Sequence, residues 1–435
     1  MVLLSRAWRC WRAIALLALV MCLSLAACAK NPVTGQDELV LMSESQEVAM
    51  GANYYPQVIQ LNHGLTPGDP QLQGYVNRLG RRLARISHRP NLPWQFTVVN
   101  SSQVNAFALP GGKISITRGL ISKMSSEDEL AGVLGHEIGH VTARHAVAGY
   151  TRQILMTGAL LGLAIALGDN EYAPAALAAA GVAGSLMMLG YSRDQERQCD
   201  ELGYEYMTRA GYNPVAMVST FELFKKMQKT EPSEIESWLS SHPLPRERIA
   251  AAEKRALASP LSNRPFNTAE FNRRLAKQKR LAPAYAAMDK GNALARKKRW
   301  GPAAAMYQRA IAAYPQEGMF HSRLAIAQMQ QKQYRQALTS AQKGARLSGG
   351  NFYPSFILGL VQRSNRNYRG ALAAHHRAAR LMPDHVVNNF FLAYSYDKVG
   401  QRKNAATYYR KVAKASPKSN YGKASQKRLA QMGLQ

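Results

Sequence analysis

His136 and His140 stand four residues apart, with Glu137 directly after the first, in the run His136-Glu137-Ile138-Gly139-His140. On a helix this spacing puts both imidazoles on one face, a turn apart, where they can reach one metal ion. Glu137 is turned about 100° around the axis, beside such an ion without ligating it. A catalytic metal takes three protein ligands and keeps one position open. The stretch from Ser192 to Gly203 offers the third: Glu196 and Asp200 are again four apart, on one helical face. One of them can bind the metal while the other orients a ligand imidazole from behind. Arg193 and Arg197 share that spacing, so a solvated charged face is the alternative reading of this segment.

The elements that must hold these residues are legible nearby. Ser126 followed by Glu129 reads as a capping box, and Leu130, Val133, Leu134, Ile138 and Val141 recur at helical spacing as a buried face. Residues 43–54 and 72–86 read as further helices. Residues 95–99 and 114–117 read as strands, because β-branched residues cluster there between turn residues.

His-Glu-x-x-His on a helix is the zinc-peptidase signature, with the glutamate as general base. Together with Ser192-Arg193-x-x-Glu196-x-x-x-Asp200, it resembles the CAAX-prenyl-protease type of zinc peptidase, and within it the periplasmic branch that carries tetratricopeptide repeats. The stretches Asn105 to Gly112, His136 to His145, Ser192 to Gly203, and His242-Pro243 with Arg248-Ile249 carry the resemblance across most of residues 40–250. It implies a mainly α, zincin-like domain with a small β-sheet and one Zn2+ per chain, bound by His136, His140 and Glu196. It makes Glu137 the base and Asp200 the partner of the site, as orienter or proton donor. The segment Asn105-Ala106-Phe107-Ala108 becomes an edge strand that binds substrate backbone by strand addition, where a plain hairpin connection is the alternative. His242, stiffened by Pro243 and Pro245, would fill the open metal position and hold the enzyme latent, and Arg248 would stabilise a developing oxyanion. Cys199 departs from the family's usual Ala; it reads as a small buried residue or as a thiol competing for metal.

Residues 1–27 have the pattern of a removed signal: Arg6, Arg9 and Arg12, then an apolar run from Ala13 to Leu25 that is short for a membrane span. Leu25-Ala26-Ala27-Cys28 resembles a lipobox, which would acylate Cys28; cleavage after Ala29 is the alternative. Cys10 and Cys22 leave with the signal, so Cys199 has no expected disulfide partner. Residues 28–42 read as a tether. The Ala- and Gly-rich runs 155–167 and 175–189 are each too short to span, and read as buried helices or a flap over the site.

After the metallopeptidase segment 43–250 and a basic helical connector over 251–283, residues 284–435 repeat with a period of 34. Ala303, Ala337, Ala371 and Ala405 recur in phase, as do Trp300, Tyr334 and Tyr368, then Gly291, Ala325, Gly359 and Ala393, then Pro315, Pro383 and Pro417. That period is the tetratricopeptide signature, an α-solenoid of about four repeats with a concave surface for protein segments. The chain's net charge is +29, and residues 284–435 hold 26 Lys and Arg against four acidic residues, a balance of +22. Such a balance calls for an acidic partner, either a protein of the outer-membrane assembly machinery or an anionic lipid surface. Nucleic acid is disfavoured, because export removes it and the repeats lack aromatic-interleaved strands. The resemblance therefore implies an envelope endopeptidase acting on misassembled or unfolded proteins, set against a second reading: an assembly chaperone or scaffold with a largely latent site.

Overall fold

A computed structural model describes residues 28–166 and 190–434. The leader and the apolar run 175–189 lie outside the described residues. Strands β1 (Cys28–Lys30) and β2 (Asp37–Leu39) form an antiparallel hairpin. Between them Asn31 is buried and donates to the Ala143 carbonyl at 3.2 Å, so the stretch expected as a tether is held against the body.

Helices α1 (Glu44–Leu61) and α2 (Pro70–Ala84) precede a three-stranded sheet of β3 (Gln95–Val99), β4 (Ala106–Leu109) and β5 (Lys113–Thr117). The order is β3-β5-β4, with β3 parallel and β4 antiparallel to β5, so β4 is an edge strand. Pro110-Gly111-Gly112 closes the β4–β5 hairpin, and both glycines take positive φ. After the short α3 (Arg118–Lys123) comes α4 (Glu127–Thr142), the helix with both histidines. The expected apolar face of α4 is buried, but so is the rest of the helix from Asp128 to Thr142. The expected capping box forms only in half. Ser126 Oγ accepts from the Glu129 N–H at 3.2 Å, but the Glu129 carboxylate accepts from Ser125 N–H at 2.6 Å instead of from the cap residue. Ser125 presents both an N–H and a hydroxyl to the carboxylate, and that pair wins over a single amide.

Helix α5 (His145–Ala166) follows, then α6 (Arg193–Arg209), α7 (Val215–Thr230), α8 (Pro232–Ser241) and α9 (Arg246–Leu257). Leu155 and Met156, at the start of one run expected to be buried, are 44% and 62% exposed. Among the described residues no helix is long and apolar enough to cross a membrane.

Helix α10 (Ala269–Arg296) is one continuous element across the expected connector boundary. Its first half drives Phe271 and Leu275, both fully buried, into the N-terminal core, while Leu281, Ala284 and Met288 begin the core of the repeats. The repeats then stack as helical pairs: the end of α10 with α11 (Trp300–Ala313), α12 (Gly318–Gln330) with α13 (Tyr334–Leu347), α14 (Phe352–Ser364) with α15 (Tyr368–Leu381), and α16 (Val386–Lys398) with α17 (Arg402–Ala415). Helix α18 (Asn420–Gln431) caps the stack. The four in-phase alanines are fully buried. A Cβ at Gly291 would stand 2.5 Å from the Tyr307 ring, which is why a small residue sits where the paired helices meet. The aromatic phase behaves differently: Tyr334 is 40% exposed, and Trp300 and Tyr368 are half-buried.

Part of the repeat surface expected to take other proteins is covered by the chain's own N-terminal domain. Arg118 lies 3.5 Å over the Tyr285 ring, Asn100 donates to the buried Glu317 at 3.2 Å, His63 meets the Tyr353 ring, and Gln60 pairs with the backbone of Gly350 and Phe352.

A buried ion cluster ties α1 to the end of α4. Glu47 accepts from Arg89 at 2.9 Å, from Arg144 Nε at 3.1 Å and from the Gly111 N–H, while Arg89 also donates to the Val141 carbonyl. Removing one partner of a buried pair leaves the other charge uncompensated. Glu47→Gln leaves the buried Arg144 without its carboxylate and Arg89 with only the exposed Glu44, and should lower stability by about 3–5 kcal/mol, read as a fall in the urea midpoint. A midpoint unchanged from wild type would show that the cluster is not structural.

Candidate metal centre

Helices α4 and α6 approach so closely that a Cβ at Gly203 would fall 2.9 Å from the His136 nitrogen, and one at Gly135 would fall 3.0 Å from the Gly203 carbonyl. This contact brings the α6 carboxylates within reach of the α4 imidazoles. His136 Nε2 and His140 Nε2 are 3.1 Å apart. The Glu196 carboxylate stands 3.6 Å from the first and 3.3 Å from the second. His242, which ends α8, completes a group of four buried side chains whose donor atoms lie within 4.8 Å of one another.

The surroundings orient these donors. Asp200 Oδ1 is 3.1 Å from His136 Nδ1, leaving Nε2 to face the centre. Arg248 on α9 donates to both Asp200 oxygens at 2.7 Å, to Glu196 Oε2 at 2.7 Å and to the Pro243 carbonyl. All three nitrogens of Arg248, the residue expected at an oxyanion, bond to Asp200, Glu196 and the Pro243 carbonyl. Its partners fix the geometry of the site. Asp200 stands as the orienter of His136. His140 Nδ1 meets His145 Nδ1 at 3.1 Å, and His145 Nε2 is anchored on Gln198 at 2.8 Å. Cys199 is fully buried with its sulfur 3.4 Å from His145, and burial pushes its thiol pKa well up, which keeps the sulfur protonated.

Electrostatics divide the site. Burial raises Glu137 to about 8. Burial would raise Asp200 as well, but the hydrogen bonds from Arg248 and His136 outweigh it and hold Asp200 below the usual carboxylate range. Burial opposes charge on His136, yet Asp200 and Glu196 overcome it and raise its pKa. Burial, reinforced by the neighbouring imidazoles, drives His140 well down.

The donor set fits a divalent cation. Two imidazoles and a carboxylate converge, and four buried acceptor atoms have no hydrogen-bond partner: both Glu137 oxygens, Glu196 Oε1 and His242 Nε2. Eleven other buried polar atoms lack a partner elsewhere among the described residues; these four belong to one donor group and its adjacent glutamate.

Residues 70–256 match the model of peptidase family M48. Metalloprotease LoiP of Escherichia coli (strain K12) is 31% identical over 192 residues, 41% of this chain and 69% of the relative. The chain belongs to peptidase family M48. The β-barrel assembly-enhancing protease of the same organism is 32% identical over 224 residues, 49% of this chain. The match spans 45% of that relative, so under half of its length. Among solved structures, YrrB, titled a TPR protein with an unusual peptide-binding site, aligns with a TM-score of 0.31 at 18% identity, covering 48% of this chain and 99% of that one.

In this M48 chain, β4 runs beside α4, with Ala108 and Leu109 next to His140 and Val141. Asn105, expected at the start of a substrate-binding strand, has its side chain engaged by Ser237 at 3.0 Å and its N–H by Thr117. It therefore ties β4 to α8, the helix that carries Trp238 and delivers His242.

Two aromatic contacts escaped the sequence reading. Tyr191 stacks on His140 at 3.7 Å, and Trp238 stacks on His242 at 4.2 Å. The second had a signal, since Trp238 and His242 are four residues apart; Tyr191 had none beyond preceding the Ser192 cap. His145 had one too, as a third histidine five residues after His140.

Partners behind a ligand imidazole commonly govern metal affinity by about 10–100-fold. Asp200→Asn should weaken zinc binding by that factor in a chelator competition, with the fold retained by circular dichroism. Undiminished affinity would show that His136 needs no orienter.

Proposed function

We propose that this chain is a zinc-dependent endopeptidase of the bacterial cell envelope. The observation that carries the reading is Glu137: fully buried beside the donor group, with both oxygens unpaired and its pKa raised to about 8. His136, His140 and Glu196 would hold one Zn2+, which when bound supplies Lewis acidity toward water and a peptide carbonyl. Glu137 takes the proton from water and returns it to the leaving amine. Asp200 and Arg248 hold His136 and Glu196 in place throughout. Strand β4 has an unpaired edge beside the site, which supports docking of an extended substrate through Ala106, Phe107 and Ala108.

His242 supports a second, compatible reading, that of a resting enzyme. Its ring is buried in the donor group, stacked on Trp238 and 3.6 Å from Glu137. In that position it occupies the place of substrate water until α8 shifts, and the chain at rest acts by binding as a chaperone or scaffold would.

The name of one relative, a β-barrel assembly-enhancing protease, supports protein substrates; we take these to be misassembled or unfolded envelope proteins, and the basic repeats support docking to an acidic partner there, with no role for nucleic acid. The leader supports placement in the periplasm, anchored to the outer membrane by an acylated Cys28.

Hydrolysis of an unfolded protein and zinc content should be measured together. Glu137→Gln should keep zinc and lose turnover by at least about a hundredfold. His242→Ala should keep zinc and raise turnover. A Glu137→Gln variant as active as wild type would reject the mechanism; a His242→Ala variant no faster than wild type would reject latency. For anchoring, cells fed labelled palmitate should label the wild type and not Cys28→Ser; an unlabelled wild type would point to cleavage after Ala29.

A further inference from the structure

The turns inside the helical pairs repeat a chemistry that packing does not require. Lys298, Lys332 and Arg366 each take positive φ, at 56°, 62° and 59°, and Gly400 follows at the same 34-residue step. A left-handed turn favours Gly or Asn, so long cations at three of four such positions are not chosen for the backbone. Each is followed two residues later by the in-phase aromatic: Trp300, Tyr334 and Tyr368. Further cations flank them at Arg299, Arg335 and Arg369, and the fourth turn adds Arg402 and Lys403. All these cations are exposed, and none has an ion-pair partner among the described residues. The four acidic residues of the repeats lie elsewhere or are engaged: Glu317 is buried, Asp289 is mostly buried, Asp384 pairs with Lys411, and Asp397 pairs with Arg428 at 2.6 Å.

We propose that this edge of the repeat stack lies on an anionic lipid surface, with its cations on headgroup phosphates and Trp300, Tyr334 and Tyr368 at the interface. Cations beside an exposed Tyr334 and the half-buried Trp300 and Tyr368 are the combination that membrane interfaces select. The stack presents the same turn once in every 34 residues, which suits a surface of repeating headgroups better than a protein with pockets of distinct shape. The inference deepens the proposed envelope partner but does not depend on the metal centre, so failure of the peptidase assay leaves it standing.

The test is flotation of the full chain, carrying Cys28→Ser so that no acyl group contributes, with vesicles of phosphatidylcholine alone or mixed with phosphatidylglycerol. The mixed vesicles should retain far more protein, and added salt should release it. The triple variant Lys298→Gln/Lys332→Gln/Arg366→Gln should lose binding about a hundredfold, from the usual contribution of a cation at an anionic surface. A control triple with the same charge change on the outer helices, Arg346→Gln/Arg377→Gln/Arg380→Gln, should lose much less. Both triples should keep the wild-type melting temperature and zinc content. Tyr334→Ser should weaken binding further in low and high salt alike. Equal loss in the two triples would reduce the effect to net charge and overturn the assignment. No preference for phosphatidylglycerol, with turn-dependent binding to a soluble acidic protein instead, would overturn it in favour of a protein partner.

Discussion

One guanidinium carries the architecture of the metal centre. Arg248 is buried between two carboxylates that α6 places on one face, and it bonds both at 2.7 Å. This cation and His136 outweigh burial and hold Asp200 below the usual carboxylate range. With it, Asp200 remains an acceptor for His136 and Glu196 still directs Oε1, unpaired, toward the imidazoles. The helix–helix contact at Gly135 and Gly203 is the steric condition for this arrangement: a Cβ at Gly203 would crowd the His136 backbone nitrogen, and one at Gly135 the Gly203 carbonyl, so the two helices would have to move apart.

The metal cluster was legible because helical spacing alone brings His136 to His140 and Glu196 to Asp200. The sequence could not say which way the pairs face each other across two helices, since that depends on the glycine contact. The carboxylate partners of Arg248 were not legible. A guanidinium looks the same in a sequence whether it meets substrate or the residues behind the donors, and only the count of its occupied nitrogens separates the two. Tyr191 was invisible for the same reason: its contact with His140 depends on tertiary position, whereas an i,i+4 pair such as Trp238 and His242 is local.

The repeats show a similar division. A 34-residue period predicts the pairing of helices and the buried alanines, because small residues at fixed phase have one packing explanation. It does not predict what the stack touches. The turns facing Asn100, Arg118 and Gln60 bury polar groups such as Glu317 against the N-terminal domain, and a buried glutamate in a basic domain reads in sequence as just one more surface charge. Exposure of Tyr334 was likewise hidden, since the in-phase aromatic position looks like core by its periodicity.

Helix α10 belongs to both halves at once. Its first turns are locked into one core by Phe271 and Leu275, and its later turns found the next by Leu281 and Met288. The chain is thus modular in its evolutionary record but not in its mechanics. The Gln278 contact with Asp69, which caps α2, adds a polar tie to the same element. Pro283 falls at the start of the second set of anchors, between Leu281 and Met288, so the missing N–H puts a bending point where one core hands over to the next.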